Sequence, residues 1–519
     1  MLFNSFLFIL IFFPLTLIGW YLLNHFHYYR TALAFLTGMS FWFYGMFSWK
    51  FLVILIASIL VSHALSLLIR EKCPSSEPAA EMNSSSRKWR RVLLVISVLF
   101  HLGLLFVFKY YGFFIGNINT AFHTDLPLFR IIMPIGISFY VFQQMSYLID
   151  RCRGKAPHYC LLDYTAYVAY FPKLIEGPIA FHEEIISQFH DEEKRCFNAD
   201  RFARGCVLFI IGLSKKVLLA DTLALPVNYG FEQTYYLDTV TVILVMLAYT
   251  FEIYFDFSGY CDMASGLSLM LGITLPVNFN SPYKSATVKE LWQRWHMTLS
   301  RFFIRYVYIP LGGSRKGRRR TMINVLIVFI LSGLWHGAGW TYVCWGLMQG
   351  LLVVWDDIGI VSARDSRTES RQRHYLLRDH PLVTVSRRTG QFFTFLFFVI
   401  SLIFFRSENM AFAGAMFRRL FYFTWPGFLY RVAGKLDIAE IYLVKEALSL
   451  AAPSLIDPMY LIAFLLLLAI SAFVITRKNA LEIATTTTFS RKTCMSLIIL
   501  FIWSFLSLSQ VSTFIYFKF

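Results

Sequence analysis

Apolar stretches of about twenty residues recur along nearly the whole chain, and they constrain its fold more than any other feature. Each is long enough to cross a bilayer as an α-helix, the conformation that pairs its own backbone polar groups. Only 15% of the 519 residues are charged, against about 25% in soluble proteins. We therefore predict an all-α polytopic membrane protein, a bundle of roughly 11–14 membrane segments. The clearest stretches lie near residues 2–24, 31–48, 51–70, 92–115, 131–149, 205–225, 239–255, 321–337, 340–358, 391–405, 458–476 and 494–514.

The formal net charge of +17 follows a topological pattern. Lysine and arginine cluster in short loops, whereas residues 117–127 and 226–238 contain neither. This alternation is typical of cytoplasmic basic loops, predicts an extracytoplasmic N-terminus, and favours the membrane rather than nucleic acid as a partner. The stretch 2–24 lacks a basic start, so we expect a retained helix instead of a signal peptide. The basic clusters are Arg70–Arg91, Arg151–Lys155, Lys194–Arg204, Arg315–Arg320 and Arg364–Arg388.

Several segments do not fit a simple spanning helix. Residues 159–180 contain Phe171-Pro172 and Gly177-Pro178, which interrupt helical hydrogen bonding and predict a broken or re-entrant segment. The segments 258–280, 411–424 and 440–452 are ambiguous, and we expect mobile cytoplasmic loops at 73–87 and 362–390. The eight cysteines have no metal-type spacing, so we expect ordinary thiols and no bound metal.

Residues 290–306 have the periodicity of a helix that lies in the membrane interface. At 100° per residue, Trp292, Trp295, Leu299, Phe303 and Tyr306 share one side, and the charged residues lie opposite. The same geometry places His296 on the flank of the apolar side. It is a candidate functional residue; the alternative is an interfacial histidine that bonds to a neighbouring carbonyl group.

His336 is the strongest candidate for chemistry, because it is an ionisable residue in the apolar segment Leu331–Trp340. Basic loops on both sides predict a hairpin of residues 321–337 and 340–358, with His336 near its apex and about 24 Å of helix from Thr321. A neutral imidazole can accept a proton from an attacking hydroxyl group. Trp335 is a candidate supporting residue beside it.

Other polar residues have two interpretations each. Asp256, Asp262 and Glu176 are carboxylates at apparent membrane depth, where they either pair structurally with cations or hydroxyl groups or position an active-site group. A basic cluster could attract a phosphorylated acyl donor, or it could serve topology and contact with anionic lipid. This cluster consists of Arg315, Lys316, Arg318, Arg319 and Arg320.

An ordered set of motifs resembles the membrane-bound O-acyltransferase superfamily, in particular its alginate O-acetyltransferase branch. The resemblance is recognisable over about residues 130–350, with peripheral helices at 1–129 and 390–519 in a single domain, 1–519. Cys261 and Glu176 depart from residues common in that branch. The motifs are Pro134–Phe139, Phe171–Ile179, Tyr254–Asp262, Asn278–Tyr283, Trp292–Ser300, Tyr308–Gly313 and Ser332–Ala338.

The resemblance implies a multi-helix bundle around a central cavity in the bacterial inner membrane, with His336 as the catalytic histidine and His296 as a second one. It implies no bound cofactor, acetyl-CoA or another acyl thioester as the cytoplasmic donor, and a polysaccharide acceptor. An extracytoplasmic partner acetyltransferase often completes the transfer in that branch. The alternatives are transfer of a D-alanyl or fatty acyl group, a transporter without chemistry, and a scaffold for polysaccharide export.

Overall fold

The computed structural model describes residues 1–72, 84–359, 361–364, 382–436 and 438–509. Most of the two loops expected to be mobile, 73–87 and 362–390, lies outside these residues. The described chain is helical almost throughout, with one pair of short parallel strands, β1 (Val361–Arg364) and β2 (Val383–Ser386), in which Val361 lies opposite Val383.

The long helices confirm the predicted all-α polytopic membrane architecture. By length and composition, six helical segments among the described residues could cross a membrane. Their exposed side chains are largely apolar, as expected of surfaces that contact lipid. The six segments are Phe8–His25, Trp49–Glu71, Lys88–Phe122, Thr239–Met270, Arg387–Arg406 and Pro453–Thr476.

The chain divides into two compact units, and the single domain expected from the sequence stays a prediction. Unit 1 comprises Met1–Phe209 and Cys261–Pro276, and unit 2 comprises Ile210–Tyr260 and Val277–Phe519. The helices that begin in unit 1 are α1 (Phe13–His25), α2 (Tyr29–Gly45), α3 (Trp49–Lys72), α4 (Ser84–Leu105), α5 (Tyr111–Phe122), α6 (Ile137–Cys152), α7 (Leu161–Ala169), α8 (Phe171–Leu174), α9 (His182–Phe189), α10 (Glu192–Arg195) and α11 (Ala199–Ser214).

The predicted break in residues 159–180 is confirmed within unit 1. Helix α7 ends at Ala169, the short helix α8 follows, and the chain then runs without helix until α9. This stretch is buried, and its backbone groups bond to side chains of the same unit. The Phe171 N–H donates to Ser40 Oγ at 3.2 Å, and the Tyr167 hydroxyl donates to the Ala180 carbonyl at 2.9 Å. Irregular backbone is tolerated here because protein surrounds it.

The remaining helices begin in unit 2. Residues 239–255 and the first part of the ambiguous segment 258–280 form one helix, α13, that ends at Met270. The helices are α12 (Asp221–Glu232), α13 (Thr239–Met270), α14 (Val288–Trp292), α15 (Met297–Phe303), α16 (Arg318–His336), α17 (Trp340–Ile358), α18 (Arg387–Arg406), α19 (Met410–Arg419), α20 (Gly427–Ala433), α21 (Tyr442–Ala451), α22 (Ile456–Thr476), α23 (Ala480–Thr486) and α24 (Arg491–Leu506).

The prediction of one continuous helix over residues 290–306 is wrong. Helix α14 ends at Trp292, and α15 begins only at Met297, after His296 has adopted a left-handed backbone conformation with φ 45° and ψ 50°. The helical repeat of the sequence gives no sign of this break. The hydrogen bonds that stabilise the broken backbone come from Asn278, outside the repeat. The aromatic side of the expected helix is nevertheless buried throughout.

The predicted hairpin is present as α16 and α17, and two glycines allow its helices to pack closely. The Cα atoms of Gly333 and Gly346 lie so near one another that a Cβ built on either would be 3.2 Å from the other glycine's Cα. A Cβ on Gly346 would also lie 2.3 Å from the Phe329 carbonyl oxygen. Glycine at such crossings lets membrane helices approach at backbone distance.

Replacing Gly346 with alanine should therefore separate α16 from α17. We expect Gly346→Ala to lower stability by about 1–3 kcal/mol, because the added methyl group overlaps backbone that has no space to move. Thermal unfolding of the purified protein in detergent measures this change. Gly103→Ala is the matched control, since nothing lies within 4 Å of a Cβ at Gly103. An equal loss of stability in both variants would contradict the packing argument.

Candidate active site

His336 is the last residue of α16, and aromatic rings enclose it. Its side chain is buried, with a relative exposure of 2%. Its ring centroid lies 4.9 Å from that of Trp335, 5.3 Å from that of Trp345 and 5.3 Å from that of Phe405. Three helices, α16, α17 and α18, supply these rings, so the imidazole occupies an environment with little room for bulk water.

The turn after His336 is shaped by glycines. A Cβ on Gly337 would lie 2.1 Å from the ring of Tyr342, so only glycine lets that ring pack against the turn. The Tyr342 ring in turn contacts Phe405, with centroids 5.4 Å apart. The turn thereby keeps His336 against the first turns of α17 and the last turn of α18.

His296 is fully buried and is held by Asn278. Asn278 Oδ1 lies 3.0 Å from His296 Nδ1, 3.3 Å from the Thr298 backbone nitrogen and 2.8 Å from Thr298 Oγ1. The Asn278 carbonyl oxygen also accepts from the Met297 N–H at 2.9 Å. One residue thus stabilises the irregular backbone around His296 and contacts its imidazole.

These bonds determine the tautomer of His296. The Thr298 backbone N–H can only donate, so the Asn278 atom that it contacts is the amide oxygen. That oxygen must accept from His296 as well, which places the imidazole proton on Nδ1 and leaves Nε2 as the basic nitrogen. Burial lowers the pKa of the His296 imidazole to about 3, so it is neutral at physiological pH.

The structure brings the two candidate histidines together within unit 2. Their ring centroids are 6.3 Å apart, and Trp335 lies beside both, 5.7 Å from His296 and 4.9 Å from His336. Phe257 of α13 packs edge-on against His296 at 4.9 Å. The arrangement offers two imidazoles at close range in an aromatic setting, which suits proton transfer to or from a hydroxyl group.

Asp256 pairs with a buried lysine, as the structural interpretation of this carboxylate predicted. Lys216 Nζ lies 2.6 Å from Asp256 Oδ1 and 2.7 Å from Asp221 Oδ1, and all three side chains are buried. The sequence analysis missed Lys216, although a Lys215-Lys216 pair inside an apolar stretch was a usable signal. Lys216 lies just after α11, in a π-helical turn at Lys215–Ala220 that is wider than an α-helical turn. Its side chain reaches Asp256 of α13.

The other two candidate carboxylates belong to unit 1. Glu176 is buried in the broken segment, and the Cys261 thiol lies 4.0 Å from its backbone carbonyl oxygen. Asp262 is half-buried on α13. Their part in the site remains a prediction.

The basic cluster lies at the opposite end of α16 from His336. Arg315, Lys316, Arg318, Arg319 and Arg320 are exposed around the first turn of this 19-residue helix. A helix of that length rises about 27 Å. The cluster is thus separated from the histidines along α16 itself. Among the described residues, no group of three or more histidine, cysteine, aspartate or glutamate side chains could hold a metal ion.

Comparisons with known proteins identify the family of this chain. A family model described as MBOAT, membrane-bound O-acyltransferase family, matches residues 153–379. The peptidoglycan O-acetyltransferase of Helicobacter pylori is 34% identical over 440 residues, 79% of this chain and 78% of that protein. A probable alginate O-acetylase of Pseudomonas putida is 36% identical over 428 residues, 82% of this chain and 81% of that protein. The teichoic acid D-alanyltransferase of Streptococcus thermophilus is 26% identical over 283 residues, 52% of this chain.

Removing the cation of the buried Lys216 cluster should destabilise the protein. Lys216→Met leaves Asp221 and Asp256 as buried carboxylates without their ammonium partner, and we expect a loss of about 3–5 kcal/mol in thermal unfolding. The control is Lys289→Met, because Lys289 pairs with Asp357 from a half-exposed position. A Lys216→Met protein as stable as wild type would show that the cluster has no structural role.

Proposed function

Because this chain belongs to the membrane-bound O-acyltransferase family, we propose that it transfers an acetyl group from a cytoplasmic thioester for O-acetylation of a secreted or envelope polysaccharide. The chain is an integral multi-pass membrane protein and an acyltransferase. Similarity to an alginate O-acetylase and a peptidoglycan O-acetyltransferase over about four fifths of the chain supports a polysaccharide or envelope polymer as the acceptor.

The observation that carries the proposal is the enclosed pair His296 and His336. We assign His336 as the general base, since it lies at the apex of the hairpin among aromatic rings. A hydroxyl group attacks the thioester carbonyl carbon, and a C–O bond forms as the hydroxyl proton moves to the imidazole. The C–S bond then breaks, and the leaving thiolate takes that proton, so the products are an ester and a free thiol.

We assign His296 a supporting role on the donor side of the same reaction. Its neutral form has a basic Nε2, because Nδ1 donates to Asn278. A second imidazole at 6.3 Å can accept or share a proton as charge develops on His336. Trp335 contacts both rings, and in this proposal it keeps their spacing and excludes water.

Charge and helix length support one direction of transfer. We place the basic cluster at Arg315–Arg320 on the cytoplasmic side, where it attracts the phosphate groups of acetyl-CoA or of a carried phosphopantetheine. His336 then lies about 27 Å away, close to the other face of the membrane. This topology has an extracytoplasmic N-terminus in the bacterial inner membrane and delivers acetyl to an extracytoplasmic acetyltransferase partner or directly to the polysaccharide.

Transfer of a different acyl group is the second candidate. The teichoic acid D-alanyltransferases of Streptococcus thermophilus and Bacillus subtilis are 26% and 28% identical, over 52% and 44% of this chain. Their matches are shorter and weaker than those of the O-acetyltransferases, which favours acetyl. A fatty acyl acceptor, a transporter and an export scaffold remain alternatives that the following experiment separates.

Loss of the His336 imidazole should abolish polysaccharide acetylation. Cells that carry His336→Ala, at membrane abundance equal to wild type, should release at least a hundredfold less acetate on alkaline treatment of their secreted and envelope carbohydrate. The carbohydrate fraction that carries the acetate identifies the acceptor. His123→Ala is the matched control, since His123 is exposed in a turn of unit 1.

The other outcomes of this experiment would favour other functions. Unchanged acetate in His336→Ala, in a strain where deletion removes it, would favour the scaffold. Unchanged acetate after deletion would exclude acetylation, and the D-alanyl, fatty acyl and transport alternatives would then be tested by their own products.

Replacing Asn278 with aspartate should make the reaction sensitive to acid. The carboxylate still accepts from His296 and Thr298, but its negative charge stabilises the imidazolium form and raises the pKa of His296 from its value of about 3. A base works only when unprotonated, so activity of Asn278→Asp should fall between pH 8 and pH 5, over which His296 in wild type stays neutral. Acetyl transfer in membrane vesicles across that range, normalised to the rate at pH 8, measures the effect. Thr298→Val is the control, and a profile of Asn278→Asp that superimposes on that of wild type would exclude His296 as a proton acceptor.

A further inference from the structure

Trp345 is one of two tryptophans whose rings contact His336, and it contributes an indole nitrogen to this space. It lies in the first turns of α17, and its side chain is 2% exposed. Its ring centroid is 5.3 Å from that of His336 with the planes at 90°, and 4.9 Å from that of Phe405. Trp345 therefore forms one wall of the space in which the proposed reaction takes place.

The Trp345 indole N–H has no acceptor among the described residues. Two other buried indoles are bonded: Trp292 Nε1 donates to Gln349 Oε1 at 3.2 Å, and Trp20 Nε1 donates to the Leu271 carbonyl at 3.0 Å. Leaving a buried donor unsatisfied costs about 1–3 kcal/mol. Such a group in a native protein calls for an explanation, and a catalytic role is one of the few available.

We propose that the Trp345 indole N–H donates a hydrogen bond to the carbonyl oxygen of the acyl group during transfer. This proposal rests on acyl transfer at His336. When the acceptor oxygen attacks the carbonyl carbon, the C=O π electrons move to the carbonyl oxygen, which becomes an oxyanion. The indole N–H donates to that oxyanion until the electron pair returns and the C–S bond breaks, so Trp345 neither gains nor loses a proton.

Indole chemistry suits this role. A tryptophan N–H donates but does not accept, and it does not ionise near neutral pH, so it adds a fixed dipole without competing with His336 for the proton. A donor that is already desolvated needs no reorganisation as charge develops, and this makes preorganised N–H groups effective. Close packing of α16 on α17 at Gly333 and Gly346 holds Trp345 in place beside His336.

The experiment compares two tryptophans of the same helical neighbourhood. Trp345→Phe removes the unbonded N–H, and Trp292→Phe removes the N–H that bonds Gln349; the two rings are 5.6 Å apart. Both variants, in the full-length protein, are assayed in inverted membrane vesicles that contain the cell's polysaccharide, supplied with cytosol and radiolabelled acetyl-CoA. The readouts are the maximal rate, the half-saturating acetyl-CoA concentration and the unfolding temperature.

We expect Trp345→Phe to lower the maximal rate about 100- to 1,000-fold, with a small change in the half-saturating concentration. Its unfolding temperature should fall less than that of Trp292→Phe, because both substitutions leave a similar cavity but only Trp292→Phe breaks an existing hydrogen bond. Trp292→Phe should show the opposite pattern: a lower unfolding temperature, since Gln349 loses its donor, and a much smaller change in rate.

Several outcomes would overturn the assignment. A maximal rate of Trp345→Phe within threefold of wild type would do so, and so would a loss of rate that matches a loss of folded protein. If Trp345→Phe does not accumulate, benzothienylalanine is placed at position 345 instead, because it keeps the shape of indole and replaces the N–H with sulfur. A maximal rate of that variant within threefold of wild type would equally overturn the assignment. A failure of the proposed function is distinct, because His336→Ala would then also retain acetyl transfer.

Discussion

The contact between two helix backbones at Gly333 and Gly346 is the constraint on which the histidine site depends. Because no side chain separates α16 from α17 there, the short turn after His336 places its imidazole directly beside Trp345. Phe405 of α18 closes the same space from another direction. In an apolar bundle, where hydrophobic burial contributes little to helix association, such close packing is what gives the site a defined shape.

The sequence predicted the features whose interacting residues lie close together in the chain, and it missed those whose interacting residues lie far apart in it. The hairpin, the broken segment around Pro172 and the burial of His336 follow from hydropathy, proline and charge, all of which are read within a few residues. The break at His296 depends on Asn278, 18 positions upstream, and the pairing of Asp256 depends on Lys216, at a separation of 40. Helical periodicity over residues 290–306 predicted one helix, since a repeat contains no information about a distant amide that captures the backbone.

The two kinds of buried polar group in unit 2 behave differently. Lys216, Asp221 and Asp256 satisfy one another, and their charges are compensated at hydrogen-bond distance. The polar groups in contact with His296 and His336 include uncharged ones: indoles and the Asn278 carboxamide. A neutral polar set costs less to bury than ions and can still respond when charge develops on a substrate, as the proposed reaction requires.

In the proposed reaction, this division also keeps lysine amines from reacting with the acyl group. A free lysine amine beside a thioester would itself be acylated, and the resulting amide would not pass its acyl group to a hydroxyl. Lys216 lies between two carboxylates that hold it as an ammonium ion without a nucleophilic electron pair. In the proposed reaction, the basic cluster at Arg315–Arg320 lies at the far end of α16 from His336, about 27 Å along the helix, where it attracts a phosphorylated donor away from the reacting thioester. The proposed site of donor attraction and the proposed site of acyl transfer are thus separated by the length of one helix, α16.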